Sequence, residues 1–153
     1  MHSFIYQLGA KKIEEDDILT EYDLYDDFVG NIADYVNEDV DQDEAINDLI
    51  EFLQPYGIVY NNEENSIVFQ NNFKRNYFAK RFNNFKEKAN IITLEDFAGY
   101  TDNLNLFFFK QLIEEKYAFY IYIDGNYMTL DEFVRNMKEE KKYYFGSAID
   151  YHF

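Results

Sequence analysis

The chain has 153 residues, 47% of them apolar, with 15 tyrosines and 16 phenylalanines. This length fits one domain, and the aromatic content excludes an intrinsically disordered acidic tail, which would lack the apolar area to offset its chain entropy. The formal net charge is -16, and the absence of cysteine excludes disulfides and thiolate metal sites.

The negative charge is concentrated in the first part of the chain. Residues 1–64 hold 18 acidic residues against Lys11 and Lys12, whereas residues 65–153 hold 12 acidic and 12 basic residues. Ordinary surfaces mix the two signs, because concentrated like charge repels itself. We therefore predict a single domain with an acidic helical lobe over about 1–64 and a charge-balanced α/β lobe over about 65–153. The alternative is that the acidic charge only maintains solubility.

The first predicted elements are a short strand over residues 3–8 and an amphipathic helix over about 20–37. Thr20 and Asp23 are spaced as in a capping box at the start of this helix. Its apolar stripe, spaced by three and four residues, consists of Ile18, Tyr22, Tyr25, Val29, Ile32 and Val36. A second helix is predicted over about 43–54, ahead of Pro55 and Gly57. Its apolar residues are Ile46, Leu49, Ile50 and Leu53.

The outer faces of these two helices are predicted to carry ridges of carboxylates. One ridge consists of Asp16, Asp23, Asp27 and Asp34, and the other of Glu44, Asp48 and Glu51. Residues three or four apart rise by roughly 4.5–6 Å along a helix, a spacing of the same order as that of duplex phosphates. Tyr22 and Tyr35 add apolar contact area if they lie on the surface. The candidate partner-binding residues are Asp16, Asp17, Glu21, Asp23, Asp27, Asp34, Asp41, Glu44, Asp48 and Glu51.

A hairpin and a basic aromatic helix are predicted next. Residues 58–60 and 66–69 form β-branched runs around an Asn-rich turn. The predicted helix over 72–89 interleaves aromatic residues with Lys74, Arg75, Lys80, Arg81, Lys86 and Lys88. Such a helix can stack on bases and contact phosphates. We favour the alternative, in which its bases neutralise the acidic helices and its core stripe is Phe78, Phe82, Phe85 and Ala89.

The remaining elements complete a small α+β fold. They are a helix from Thr93 or Asp102 to Glu115 with a break near Gly99, a strand over 117–123, a turn at Asp124-Gly125, a short return at Tyr127-Met128, a helix from a capping box at Thr129 to about Lys138, and a strand over 142–153. The predicted fold class is therefore α+β, a compact domain of several helices with a small antiparallel sheet built from hairpins.

Few residues indicate catalysis. Only His2 and His152 are available as imidazole bases or ligands, and both lie near the termini. Neither a phosphate-binding glycine pattern nor a nucleophile elbow is present in the sequence. We therefore expect a protein that is not an enzyme and that needs no cofactor.

An acidic loop between the first two helices resembles a calcium loop only in part. Its alternating carboxylates are Asp39, Asp41 and Asp43. Glu44 stands where such a loop needs glycine, and Ile50 stands where it needs a bidentate glutamate. These aspartates are interpreted as loop and helix-cap residues, and we expect no metal site.

The location of the protein is predicted from what the sequence lacks. It shows neither a basic leader followed by an apolar stretch nor a run of about 20 apolar residues. Its many Asn, Ile, Lys, Phe and Tyr residues have A/T-rich codons, which indicates a low-G+C bacterium or its phage. We expect a cytoplasmic protein of a bacterial host, without membrane partners.

In charge and architecture the chain resembles, by type and without a shared motif, the acidic nucleic-acid mimics that phages and mobile elements use against restriction enzymes and CRISPR nucleases. The resemblance implies that carboxylates take the places of phosphates and fill a channel of Lys and Arg. The hypothesis is therefore an antirestriction or anti-CRISPR inhibitor of a basic nuclease or other nucleic-acid enzyme. Its acidic face is not expected to bind nucleic acid, and its oligomeric state stays open.

Three alternatives use the same charge pattern differently. An immunity protein that neutralises a basic toxin nuclease needs the same acidic face. A nucleic-acid-binding accessory protein would use the basic aromatic helix over 72–89. A scaffolding domain would self-associate through its two poles, and its oligomers would dissociate as salt rises.

Overall fold

The computed structural model describes residues 1–113 and 115–153. The chain forms two compact units, one made of Met1–Lys74 with Lys116–Phe153 and the other of Arg75–Glu115. The change in charge near residue 64 therefore falls inside the first unit. A single domain with lobes divided at that point stays a prediction.

The first unit is built on one seven-stranded sheet. Its strands are β1 His2–Gly9, β2 Tyr35–Asn37, β3 Ile58–Asn61, β4 Ser66–Phe69, β5 Tyr120–Ile123, β6 Asn126–Thr129 and β7 Lys142–His152. Their order is β3-β4-β7-β1-β5-β6, and β2 pairs with one end of β7. The sheet is mixed, because β1 runs antiparallel to β7 and parallel to β5.

The predicted small antiparallel sheet built from hairpins is therefore wrong. Both predicted hairpins exist, as β3-β4 and β5-β6, but the long central strands β1 and β7 join them into one sheet. Residues 5–8 of β1 are all buried, which is typical of a strand that is covered on both faces. The pairing of β1 with β7 joins the two ends of the chain, so no local pattern could reveal it.

The helices are α1 Gln42–Leu53, α2 Phe73–Ile91, α3 Leu94–Ala98, α4 Asn105–Ile113 and α5 Leu130–Asn136. The predicted helix over about 43–54 is confirmed as α1. The capping residue Thr129 is also confirmed, since its hydroxyl accepts the Glu132 N–H at 3.2 Å at the start of α5. Asp124 and Gly125 form the predicted turn with positive φ of 51° and 78°. No helix in the described part of the chain is long and apolar enough to cross a membrane.

The amphipathic helix predicted over about 20–37 is wrong. The chain instead forms two short 3-10 turns at Glu15–Asp17 and Glu21–Leu24, further turns, and then β2. Ile18, Tyr22 and Tyr25 of the predicted stripe are exposed. The buried apolar residues follow no helical spacing, and they are Leu19, Leu24, Phe28, Ala33 and Val36.

The local sequence gives a helix here little support. No Lys or Arg occurs between Lys12 and Lys74, so acidic residues four apart, such as Asp23 and Asp27, would repel one another without a balancing base. Helix α1 forms in spite of the same spacing at Glu44 and Asp48, so this repulsion alone does not prevent a helix. Gly30 adopts a positive φ of 91°, which an α-helix does not allow. Packing on the sheet therefore decides the conformation of this segment.

Phe28 is the centre of that packing. Its side chain is fully buried, and its ring meets the rings of Tyr120, Tyr127 and Tyr151 edge-on at centroid distances of 5.1, 5.0 and 5.2 Å. Edge-to-face pairs at this distance are favourable beyond the apolar area that they bury. The acidic segment is therefore attached to the sheet through an aromatic cluster.

The second unit consists of most of α2 with α3 and α4. The predicted break is confirmed at Gly99, which ends α3 with a positive φ of 78°. The predicted helix end at Glu115 depends on residue 114, which lies outside the described residues. The predicted core stripe of α2 is wrong at Phe82 and Phe85, because these side chains are 59% and 38% exposed.

Asp96 organises the turn between α3 and α4. Its buried carboxylate accepts the Thr93 N–H at 3.0 Å, the Thr101 hydroxyl at 2.6 Å and the Asn103 side-chain amide. These hydrogen bonds, that of Thr101 first, hold the pKa of Asp96 well below its usual range. The turn that carries Tyr100 therefore has a fixed conformation.

Candidate protein-binding surface

The ten acidic residues predicted to bind a partner all lie in the first unit, and we call them the acidic surface. Glu21 is half-buried. The other nine are exposed, and they are Asp16, Asp17, Asp23, Asp27, Asp34, Asp41, Glu44, Asp48 and Glu51. They belong to two elements, the irregular segment over 14–38 and the helix α1 with its cap.

Helix α1 presents an unpaired row of carboxylates. Its buried residues are Ala45, Ile46, Leu49 and Leu53, which pack one face of the helix against the unit. Glu44, Asp48 and Glu51 lie on the opposite, exposed face, as their spacing predicts. In the described part of the chain, these three carboxylates accept no hydrogen bond and form no ion pair. The Asp41 carboxylate caps the helix by accepting the Glu44 N–H at 3.0 Å.

The other predicted ridge, Asp16 to Asp34, does not exist as a helical row. Asp23 caps a 3-10 turn by accepting the N–H and the hydroxyl of Thr20 at 2.8 and 2.9 Å. Asp27 accepts the Tyr127 hydroxyl at 2.8 Å, and Asp34 lies 3.6 Å from Nδ1 of His152. These carboxylates are exposed; Asp27 and Asp34 face residues of β6 and β7, whereas Asp23 bonds within its own segment.

A buried glutamine that the sequence did not indicate as functional positions the acidic segment. The Gln7 side chain donates to the Asp17 carbonyl at 2.6 Å and accepts the Leu19 N–H at 2.8 Å. The Ser147 hydroxyl completes the attachment by donating to the Leu19 carbonyl at 2.6 Å. A Cβ atom at position 146 would lie 2.1 Å from the Gln7 side-chain oxygen, so only glycine at this position leaves room for the network.

A second glutamine positions α1. β4 and β2 pair with the two ends of the same edge of β7. Between them, the Gln42 side chain accepts the Ala148 N–H at 2.7 Å and donates to the Ala148 carbonyl at 2.9 Å. The side-chain amide thus takes the place of a strand at this part of the edge. The row of carboxylates on α1 is therefore fixed relative to the sheet.

We expect the substitution Gln7→Leu to lower the free energy of unfolding by about 1–3 kcal/mol, because it leaves the buried Leu19 N–H and the partly buried Asp17 carbonyl without their partner. Hydrogen exchange at the Leu19 amide should accelerate. Urea unfolding and hydrogen exchange measure the two effects. Gln54→Leu, at an exposed glutamine, is the matched control and should change neither. An unchanged Leu19 exchange rate in Gln7→Leu would contradict the positioning role.

The electrostatic character of the acidic surface follows from the absence of nearby bases. In the part of the chain that the structure describes, no carboxylate between residues 14 and 51 forms an ion pair with Lys or Arg. The ion pair between Lys142 and Glu64, at 2.5 Å, lies outside this range. Within the described residues, the negative charge of the acidic surface is therefore not neutralised by Lys or Arg.

Exposed tyrosines stand among the acidic residues. Tyr22 is 74% exposed, and its ring lies 5.8 Å from that of Tyr25. Tyr35 is also exposed and stacks on His152 at a centroid distance of 4.8 Å. Partial burial and then the hydrogen bond to Asp27 raise the pKa of Tyr127. The surface therefore combines carboxylates with aromatic rings that can anchor a protein partner.

An open cavity of about 430 Å³ separates the acidic segment from the start of α1. Ile18 and Ile46 supply apolar wall, whereas Glu38 and Asp43 supply carboxylates. The Glu38 carboxylate also accepts the Glu21 N–H at 2.9 Å. Apolar walls with acidic groups suit the aliphatic stem and charged head of a Lys or Arg side chain.

The two histidines lie together at the paired ends of β1 and β7. Their ring centroids are 5.0 Å apart, and Nδ1 of His2 lies 2.8 Å from the Asp150 carboxylate. Within the described residues, no group of three or more His, Asp or Glu side chains is arranged to hold a metal ion.

Comparisons with protein-family models, with curated proteins and with solved structures found no match to this chain.

Proposed function

We propose that this protein is an inhibitor that binds a basic nucleic-acid enzyme, such as a restriction or CRISPR nuclease, and blocks its nucleic-acid site. The acidic surface takes the place of the phosphate backbone in the Lys and Arg channel of that enzyme. Its role is electrostatic and steric, and the protein needs no catalytic group of its own.

The observation that carries the proposal is the unpaired row on α1. Glu44 and Asp48 are four residues apart and thus rise by about 6 Å along the helix, and Glu51 continues the row. A partner with Lys and Arg at phosphate spacing can pair with these carboxylates without displacing an internal base. Complementary electrostatic fields accelerate association with a basic partner and disfavour partners with acidic surfaces.

Charge alone gives little specificity, so we also propose that aromatic side chains anchor the partner. Tyr22 and Tyr25 supply exposed rings beside the carboxylates, and aromatic residues are enriched among those that dominate binding energy. The cavity beside Glu38 and Asp43 accepts one cationic side chain of the partner. These features support a protein-binding surface over a merely solubilising one.

The test is capture of partners by the tagged chain from a nuclease-treated bacterial lysate at low and high salt. The proposal expects a basic nucleic-acid enzyme that binds at low salt and elutes as salt rises. A defence nuclease as the captured enzyme would indicate an inhibitor, whereas a toxin nuclease would indicate an immunity protein. Recovery of nucleic acid, or of no enzyme, would refute the proposal.

A further inference from the structure

The cavity between the acidic segment and the start of α1 lies in a gap along one edge of β7, and we call it the edge cavity. On this edge β4 pairs with residues 142–144 of β7, and β2 pairs with residues 150–152. In the gap, Gly146 and Ser147 together stand opposite the single residue Gln7 of β1, which makes a β-bulge. Both bulged residues line the edge cavity. Bulges are over-represented next to functional sites, so the edge cavity is a candidate binding site.

Most side-chain donors that line the edge cavity are already used within the chain. The Gln42 amide bonds the backbone of β7, and the Ser147 hydroxyl donates to the acidic segment. The Thr20 hydroxyl donates to the Asp23 carboxylate. Among the described lining residues, the Asn65 amide nitrogen is the one side-chain donor without a partner. A ligand rich in acceptors would therefore find few side chains to bind.

The acceptors of the edge cavity, in contrast, are carboxylates with free oxygens. Within the described residues, the Asp43 carboxylate has neither a hydrogen-bond nor an ion-pair partner. In the same part of the chain, the Glu38 carboxylate uses Oε2 to accept the Glu21 N–H and leaves Oε1 free. No Lys or Arg is among the described residues that line the cavity. The free groups therefore select a ligand that has donors and positive charge.

The apolar walls of the edge cavity indicate an organic cation and not a metal ion. Leu19 and Ile46 are each 3% exposed, and Ile18 is 36% exposed. Aliphatic surface of this kind packs against the stem of a long cationic side chain and offers no ligand to a metal ion. Glu38 and Asp43 belong to no described group of three or more acidic or histidine side chains that could hold a metal ion. The ligand is therefore expected to combine an aliphatic stem with a cationic head.

We propose that the edge cavity binds a guanidinium group, and that this group belongs to an arginine of the basic partner. A guanidinium has five donors in a planar fork and no acceptor, so it has donors for both free carboxylates. It is also more weakly hydrated than the ammonium group of lysine, and it therefore loses less on entering a half-apolar cavity. The assignment to a partner rests on the proposed function, whereas the binding of a guanidinium by this chain does not.

The edge cavity is formed before a ligand binds. Gln7 holds the acidic segment to the bulge of β7. Gln42 holds the start of α1 to the neighbouring residue Ala148. These two attachments fix the walls of the cavity relative to the sheet, so binding requires little ordering of the protein.

The test is a titration of the full chain with N-acetyl-L-arginine methylamide, followed by the backbone amide resonances of the chain. We expect saturable shifts at Leu19, Ile46 and Ser147. The corresponding lysine derivative should bind about tenfold more weakly. N-acetyl-L-citrulline methylamide, which keeps the shape of arginine without its charge, is the matched control ligand and should give no saturable shift.

Asp43→Asn should raise the Kd for the arginine derivative about tenfold, because it removes one of the two free carboxylates and keeps the shape of the side chain. The matched control is Asp48→Asn, which makes the same change on the same helix outside the cavity. It should alter the Kd by about twofold or less. Circular dichroism should show that both variants fold. Equal losses in the two variants, an equal Kd for the lysine derivative, or no saturable shift would overturn the proposal.

The arginine site and the proposed function fail separately. The titration contains no enzyme, so saturable binding of the arginine derivative without capture of any enzyme would refute the proposed function and, with it, the assignment to a partner. With a captured enzyme, Asp43→Asn should weaken the binding of that enzyme about tenfold. An enzyme that binds Asp43→Asn as tightly as the native chain would overturn the assignment of the guanidinium to the partner.

Discussion

Replacing Phe28 with alanine is expected to lower the free energy of unfolding by about 3–5 kcal/mol. The Phe28 ring is fully buried among Tyr120, Tyr127 and Tyr151, so its removal leaves a cavity and ends three edge-to-face contacts. Because these contacts attach the acidic segment to the sheet, protection from hydrogen exchange should fall first over residues 19–33. Urea unfolding and hydrogen exchange measure the two effects.

Tyr25→Ala is the matched control for Phe28→Ala. Tyr25 is 46% exposed, so its truncation should cost less than about 1 kcal/mol. A helix over 20–37 would reverse this order, because Tyr25 lies on the apolar stripe of that helix and Phe28 lies off it. A larger loss for Tyr25→Ala than for Phe28→Ala would therefore contradict the observed packing.

Reversing the charges on α1 should weaken partner binding about 100-fold or more without unfolding the protein. The variant is Glu44→Lys with Asp48→Lys and Glu51→Lys. Each substitution removes an attraction to the basic partner and adds a repulsion, and losses at such pairs reach several kcal/mol. Lysine suits a helix interior as well as glutamate does, and the lost interaction of Glu44 with the N-terminus of α1 costs about 0.3–1 kcal/mol, so stability should change by about 1 kcal/mol or less. Titration calorimetry with the captured enzyme and thermal unfolding measure the two quantities.

The control for charge reversal must change the net charge equally at another place. Glu63→Lys, Glu87→Lys and Glu132→Lys alter three exposed acidic residues outside the acidic surface. This control should weaken binding by less than about tenfold, through the long-range field alone. Equal losses in the two triple variants would show that net charge, and not the row on α1, determines binding.

Local signals in the sequence predicted α1 and the tight turns. Helix α1 follows from a clear apolar stripe that ends before Pro55, and Asp124-Gly125 permits the positive φ that its turn requires. The exposed row of Glu44, Asp48 and Glu51 follows from the same helical period. These features depend on neighbours within a few residues, which is why one sequence suffices to predict them.

The acidic segment and the sheet depend on contacts that are distant in sequence. Phe28 is buried by residues about 100 positions away, and β1 pairs with β5 and β7 from the far end of the chain. The misleading helical stripe arose because exposed Tyr22 and Tyr25 have the spacing of core residues. The sequence does contain a signal for the network around Gln7. A polar residue inside the apolar run over residues 4–8 indicates a buried hydrogen-bonding network.

The proposed function requires that the chain and nucleic acid compete for one site on a basic enzyme. The most direct measurement is equilibrium binding of labelled nucleic acid to the captured enzyme while this protein is titrated in. We predict complete displacement of the nucleic acid. The apparent Kd of the enzyme for nucleic acid should rise linearly with the concentration of this protein. A ternary complex in which the enzyme holds nucleic acid and this protein together would contradict the claim.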